Sequence, residues 1–147
     1  MLHQSAQAKR LTPVPTPFTA GAVCTAIFSI SFASTAYTAA DDLIELAGLP
    51  ADCRPVAATL IGAGVGALTA DVGFLSEPLG DNTDESTSGD EIFDGASVDD
   101  TEVDATAASM VAIAPTSGNR AIGMTLSGNV AAGAGKAVTL VLTYIAA

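Results

Sequence analysis

Tryptophan is absent from this chain, histidine occurs once, and lysine and arginine together number five in 147 residues. Each scarcity excludes something. His3 lies close to the N-terminus, so the body of the chain holds no Ser-His or Cys-His pair for nucleophilic catalysis. Sugar-cleaving sites rely on aromatic platforms, and aromatics make up only 5% of residues. The chain is therefore expected to be no enzyme and to carry no cofactor. Two cysteines and one histidine are too few for a zinc site, and Gly62–Gly66 lacks the lysine of a phosphate loop. So few cations form no basic face for nucleic acid. No apolar run reaches the roughly 20 residues of a membrane span, and no amphipathic helical period outlasts two turns.

What is present is acid and small apolar residues. The net charge is −11, twelve of the sixteen carboxylates lie between Asp71 and Asp104, and no cation occurs between Arg54 and Arg120. This concentration reads as a solvated acidic surface. Calcium is the weaker reading, because Asp81-Asn82-Thr83-Asp84-Glu85 does not follow EF-hand spacing; no metal site is expected. Cys24 and Cys53 could form one disulfide. Each sits in an apolar strand pattern, which favours free buried thiols. The apolar 49% is mostly Ala and Val, giving a thin core that neighbours in an assembly would help to stabilise.

The chain divides into an extended N-terminal arm over residues 1–21 and a β-sandwich over 22–147. The arm shows no hydrophobic period, and Pro13, Pro15 and Pro17 favour an extended path. Lys9 and Arg10 ahead of Ala22–Phe28 outline a signal peptide, but the prolines interrupt it. Ser29 and Ser31 then alternate with Ile30 and Phe32, as in a strand. Period-two patterning predicts strands over 22–32, 43–46, 54–61, 68–75, 92–98, 105–114, 122–126 and 138–145. The run 106–110 is also compatible with one helical turn. Gly48-Leu49-Pro50 reads as a corner, residues 77–91 as an acidic loop, and Gly133-Ala134-Gly135-Lys136 as a hairpin joining the last two strands. Residues 54–61, apolar on both faces, suit a strand internal to the sandwich. About eight strands with turn signals between them predict an all-β antiparallel sandwich, jelly-roll-like in arrangement.

Asp42-Leu43-Ile44-Glu45-Leu46-Ala47-Gly48-Leu49-Pro50-Ala51-Asp52-Cys53-Arg54 resembles the D-x-I-E-L-x-x-L-P-x-G-A-R stretch of small capsid-associated proteins of tailed bacteriophages. Thr69-Ala70-Asp71-Val72-Gly73-Phe74, Phe93-Asp94-Gly95-Ala96 and 138–145 resemble later stretches of the same proteins, in the same order. Asp52-Cys53 departs from the usual Gly-Ala. The resemblance implies a head decoration, or cement, protein. Such a protein is a β-sandwich bound outside the phage head to the major capsid protein, often as a homotrimer. It has no nucleic-acid or membrane partner. Lys9, Arg10 and Phe18 in the arm are then the candidate capsid contacts. The alternatives are a secreted adhesion or carbohydrate-binding sandwich, and a phage neck or fibre-base component.

Overall fold

The computed structural model describes residues 1–9, 16 and 22–146. Nine strands and one short helix follow in order: β1 Leu2–Gln4, β2 Val23–Ser31, β3 Leu43–Leu49, β4 Cys53–Ala63, β5 Thr69–Phe74, β6 Phe93–Ser97, β7 Glu102–Asp104, α1 Ala107–Ala112, β8 Arg120–Leu126 and β9 Ala137–Ala146. They form a five-stranded sheet, β1-β3-β8-β5-β6, and a four-stranded sheet, β2-β9-β4-β7.

The pairing from β2 to β9 is nested. The first strand pairs with the last, β3 with β8, β4 with β7 and β5 with β6, all antiparallel. The contacts β4–β9 and β5–β8 complete the two sheets. A long hairpin wrapped on itself in this way is the eight-stranded jelly roll expected from the strand count. β1 adds a ninth strand, parallel to β3, with Leu2, His3 and Gln4 opposite Leu43, Ile44 and Glu45.

Alternation builds the core. Ala26, Phe28 and Ile30 of β2, Leu60 of β4 and Leu140, Leu142 and Tyr144 of β9 point inward from one sheet. Ile44 and Leu46 of β3, Val72 of β5, and Ile122, Met124 and Leu126 of β8 meet them from the other. Tyr37 lies at one end, its hydroxyl accepting the Leu126 N–H at 3.1 Å.

Five local expectations are revised. Gly48 and Leu49 belong to β3, and the corner is Pro50–Asp52, with Asp52 at φ 56°. The segment 105–114 is not a strand: Ala107–Ala112 is helical, with Thr106 Oγ1 accepting the Ser109 N–H at 3.1 Å as an N-cap over an alanine-rich turn. The acidic connection before it contains β7, a three-residue edge strand. Leu2–Gln4, within the segment expected to be an arm, pairs with β3 instead. Finally, 133–136 forms no hairpin between β8 and β9, because these strands belong to opposite sheets. The connection is anchored on the way by the Tyr37–Val130 bridge and by hydrogen bonds from Phe32 N to Lys136 O and from Gly133 N to Phe32 O.

Candidate interaction surfaces

The two outer faces of the sandwich are finished differently. The five-stranded sheet is covered by the chain itself. Opposite one another on β5 and β8 stand Gly73 and Gly123, and the absence of side chains there lets the segment after β5 lie flat. A β-carbon on Gly73 would run into the Glu91 carboxylate and the backbone of Gly89 and Asp90. One on Gly123 would run into Leu75 and the Ser88 hydroxyl. Leu75 and Leu79 pack with Leu2, Leu43 and Ala121 in a small second core beneath this cover.

Glu45 fastens the loop. Its side chain points to the outer face, yet it is fully buried. Oε1 accepts from Gln4 Nε2 at 2.8 Å, and Oε2 accepts from Asn82 Nδ2 at 2.6 Å and Gly80 N at 3.4 Å. Asn82 donates further to Glu77 O and Pro78 O and accepts from Glu77 N. A buried acceptor on the sheet is thus matched by amide donors from β1 and from the loop, as burial demands. The acids of the loop, Glu77, Asp81, Asp84, Glu85, Asp90 and Glu91, remain exposed.

Among the described residues, no such segment covers the outer face of the central strands of the four-stranded sheet. β2, β9 and β4 display Val23, Thr25, Ile27 and Ser29, then Thr139, Val141, Thr143 and Ile145, then Arg54, Val56, Ala57, Thr59 and Ile61. Thr25 pairs with Thr143 and Ser29 with Thr139 through their hydroxyls at 3.2 and 3.0 Å. No carboxylate lies on these three strands. Val23 is 65% exposed, Ile27 60%, Val56 41% and, on α1 beside them, Val111 71%. Arg54, Val56, Val111 and Ile145 border a groove of about 250 Å³. The expectation that β4 is apolar on both faces because it is internal holds only for its inner face and its place in the sheet.

The N-terminal segment closes a third side. His3 is buried between Phe32 and Tyr37, with Nε2 3.1 Å from Asp42 Oδ2. Asp42 also receives the Met1 ammonium at 2.8 Å and the Thr38 N–H at 2.8 Å. Burial alone would push its carboxyl up; the bonds from Met1, Thr38 and His3 together outweigh that and hold it at about 2. Gln7 Nε2 donates to Ile27 O on the free edge of β2 at 3.0 Å. Lys9 is exposed at the end of this segment. Arg10 and Phe18, the other two predicted contacts, lie outside the described residues.

Cys24 and Cys53 are free, the first half-buried and the second buried. They sit on β2 and β4, which flank β9, so their backbones are about 10 Å apart. A disulfide needs less than about 7 Å. Among the described residues no three His, Cys, Asp or Glu side chains are grouped to hold a metal ion.

The two faces of the jelly roll thus differ: one is covered by the chain's own acidic loop, and on the other the strands β2, β9 and β4 carry no carboxylate of their own and, among the described residues, no covering segment. The chain is similar to a chain in the capsid of Ralstonia phage GP4, with 33% identity over 100% of this chain and 99% of that one and a TM-score of 0.89. It belongs to the same family as that phage capsid protein. The fold recurs in a chain of the cyanophage Pam1 capsid, at 20% identity, 92% and 93% coverage and a TM-score of 0.61. It also recurs in the capsid of the Helicobacter pylori bacteriophage KHP30, at 14% identity, 88% and 92% coverage and 0.53. No protein-family model and no curated protein matches the sequence.

Proposed function

We propose that this phage capsid protein is a decoration, or cement, protein that binds the outside of the head and stabilises contacts between major capsid protein subunits, as a homotrimer. The observation that carries the reading is the one-sidedness of the sandwich: an acidic loop covers one sheet, while on the other the strands β2, β9 and β4 carry no carboxylate and, among the described residues, lie open. A subunit on the outer surface needs one face for its neighbours and one for solvent, where exposed carboxylates keep particles apart. The thin core supports the same reading, since a domain that gains stability by binding does not need a large core of its own.

Residues 1–21 act in this reading as the arm that reaches the shell beyond β1, with Lys9, Arg10 and Phe18 as contacts. The sandwich of 22–147 is the body that the arm tethers. Imaging of the phage particle tests the reading. Density for this chain repeated over every facet, outside the shell, is the expected result. Density confined to one vertex would assign it to the neck or a fibre base, and density inside the shell would overturn the proposal. Particles carrying a chain that lacks residues 5–21 should lose occupancy; full occupancy would remove the arm from the interface.

A further inference from the structure

We infer that Asp94-Gly95 is the site at which this chain is open to conversion of aspartate to isoaspartate, and that Asp71 restrains the reaction. The reaction lies within one strand and needs no partner, so it is independent of the decoration reading.

Asp94-Gly95 is the one Asp-Gly step in the sequence, and no Asn-Gly step occurs. The chemistry favours that pair. The Gly95 nitrogen loses its proton and attacks the side-chain carbonyl carbon of Asp94; a C–N bond forms, water leaves, and a cyclic imide results. Water then opens the ring at either carbonyl. One opening restores aspartate, and the other routes the backbone through the side-chain carbons, with no net change in mass. Glycine favours the attack because it has no β-carbon to obstruct the approach.

Bulk does not shield the site. β6 is an edge strand, Asp94 and Gly95 are exposed, and a β-carbon on Gly95 would meet nothing within 4 Å. The two residues form a bulge opposite Asp71, between the pairs Ala70–Ala96 and Val72–Phe93, with Gly95 at φ 69°. What engages the nitrogen is Asp71 of β5, whose Oδ1 accepts the Gly95 N–H at 2.7 Å. A carboxylate at that distance opposes loss of the proton and holds the peptide plane in place. A hydrogen bond to a charged acceptor shifts an equilibrium by about tenfold to a hundredfold, and the restraint on cyclisation is of that size. Isoaspartate here would lengthen the backbone by one carbon and break the register that seats buried Phe93 and Ala96 in the core.

Incubation of the purified chain at physiological temperature, folded and in urea, tests this. Methyltransferase labelling and peptide mass spectrometry locate the isoaspartate. Folded wild type should convert Asp94 about tenfold or more slowly than the unfolded chain. Asp71→Ala should speed conversion in the folded state by about tenfold or more, and Asp71→Asn, which keeps a neutral acceptor, should fall between. Urea denaturation of each variant gives its unfolded fraction, and conversion in Asp71→Ala should exceed what that fraction allows. This separates a hold on the nitrogen from a general loosening of the fold. Folded wild type converting as fast as unfolded would overturn the inference, as would a wild-type rate in Asp71→Ala. So would an acceleration accounted for by unfolding, or isoaspartate that accumulates first at another residue.

Discussion

Replacing Glu45 with glutamine should release the acidic loop from the sheet it covers. The carboxylate makes two short hydrogen bonds in full burial, to Gln4 at 2.8 Å and to Asn82 at 2.6 Å, with a longer one to Gly80. Hydrogen bonds to a carboxylate contribute about 1.5–3 kcal/mol each, roughly twice a neutral bond. Glutamine keeps the shape and one acceptor oxygen. That oxygen stays with Asn82, whose amide is tied on its other side to Glu77 O and Pro78 O. The new NH₂ then confronts Gln4, which is half-buried and can turn its own oxygen inward. Both contacts survive as neutral bonds and lose about half their strength, so the expected cost is about 2 kcal/mol. For a chain of this size that is about 4–8 °C in Tm. Urea denaturation measures the total, and hydrogen exchange shows where it falls: amides of 77–91 should lose protection before those of β9. Glu45→Leu, which takes the acceptor from Gln4 and the shortest of three from Asn82, should cost more. A Glu45→Gln change within about 0.5 kcal/mol of wild type, the range of an ordinary surface substitution, would refute the claim that this carboxylate holds the loop.

Gly73→Ala and Gly123→Ala should each cost about 1–3 kcal/mol by forcing the loop off the sheet, seen as faster proteolysis within 80–87 while the core signal persists. Asp42 is depressed from about 3.8 to about 2, so its contribution is present above pH 4 and lost as pH falls toward 2. Wild type and Asp42→Asn should therefore differ by about 2 kcal/mol near pH 6 and converge near pH 2; a constant difference would exclude Asp42 as the titrating group. Burial raises the Cys53 thiol, with smaller contributions from Cys24 and Asp52. Alkylation of Cys53 should thus be slow in the folded state, and mild oxidation should leave no intramolecular disulfide detectable by mass spectrometry.

The contrast between β3 and β4 shows how far the sequence could be read. Both were legible as strands, because a period of two is a property of neighbouring residues and survives without tertiary information. Their surroundings were not. Leu43–Leu49 alternates like a half-exposed strand but is buried along its whole length. Cys53–Ala63 is apolar on both sides but is half open to solvent. Glu45 carried no signal that distinguished it from a surface acid, since the groups that bury and satisfy it come from Gln4, Gly80 and Asn82. Likewise Leu2–Gln4 is too short to show a period and becomes a strand only because the edge of β3 is there to receive it.

By itself, then, the sequence determined the class: an all-β chain of about eight core strands, acidic over one central stretch. Local alternation, turn chemistry and composition act over a few residues and need no partner to be read. Tertiary structure alone decided which face of the sandwich the acidic loop covers and which it leaves bare. That choice depends on two glycines, one buried carboxylate and one asparagine brought together from β3, β5, β8 and the loop. No local pattern in the chain records their meeting.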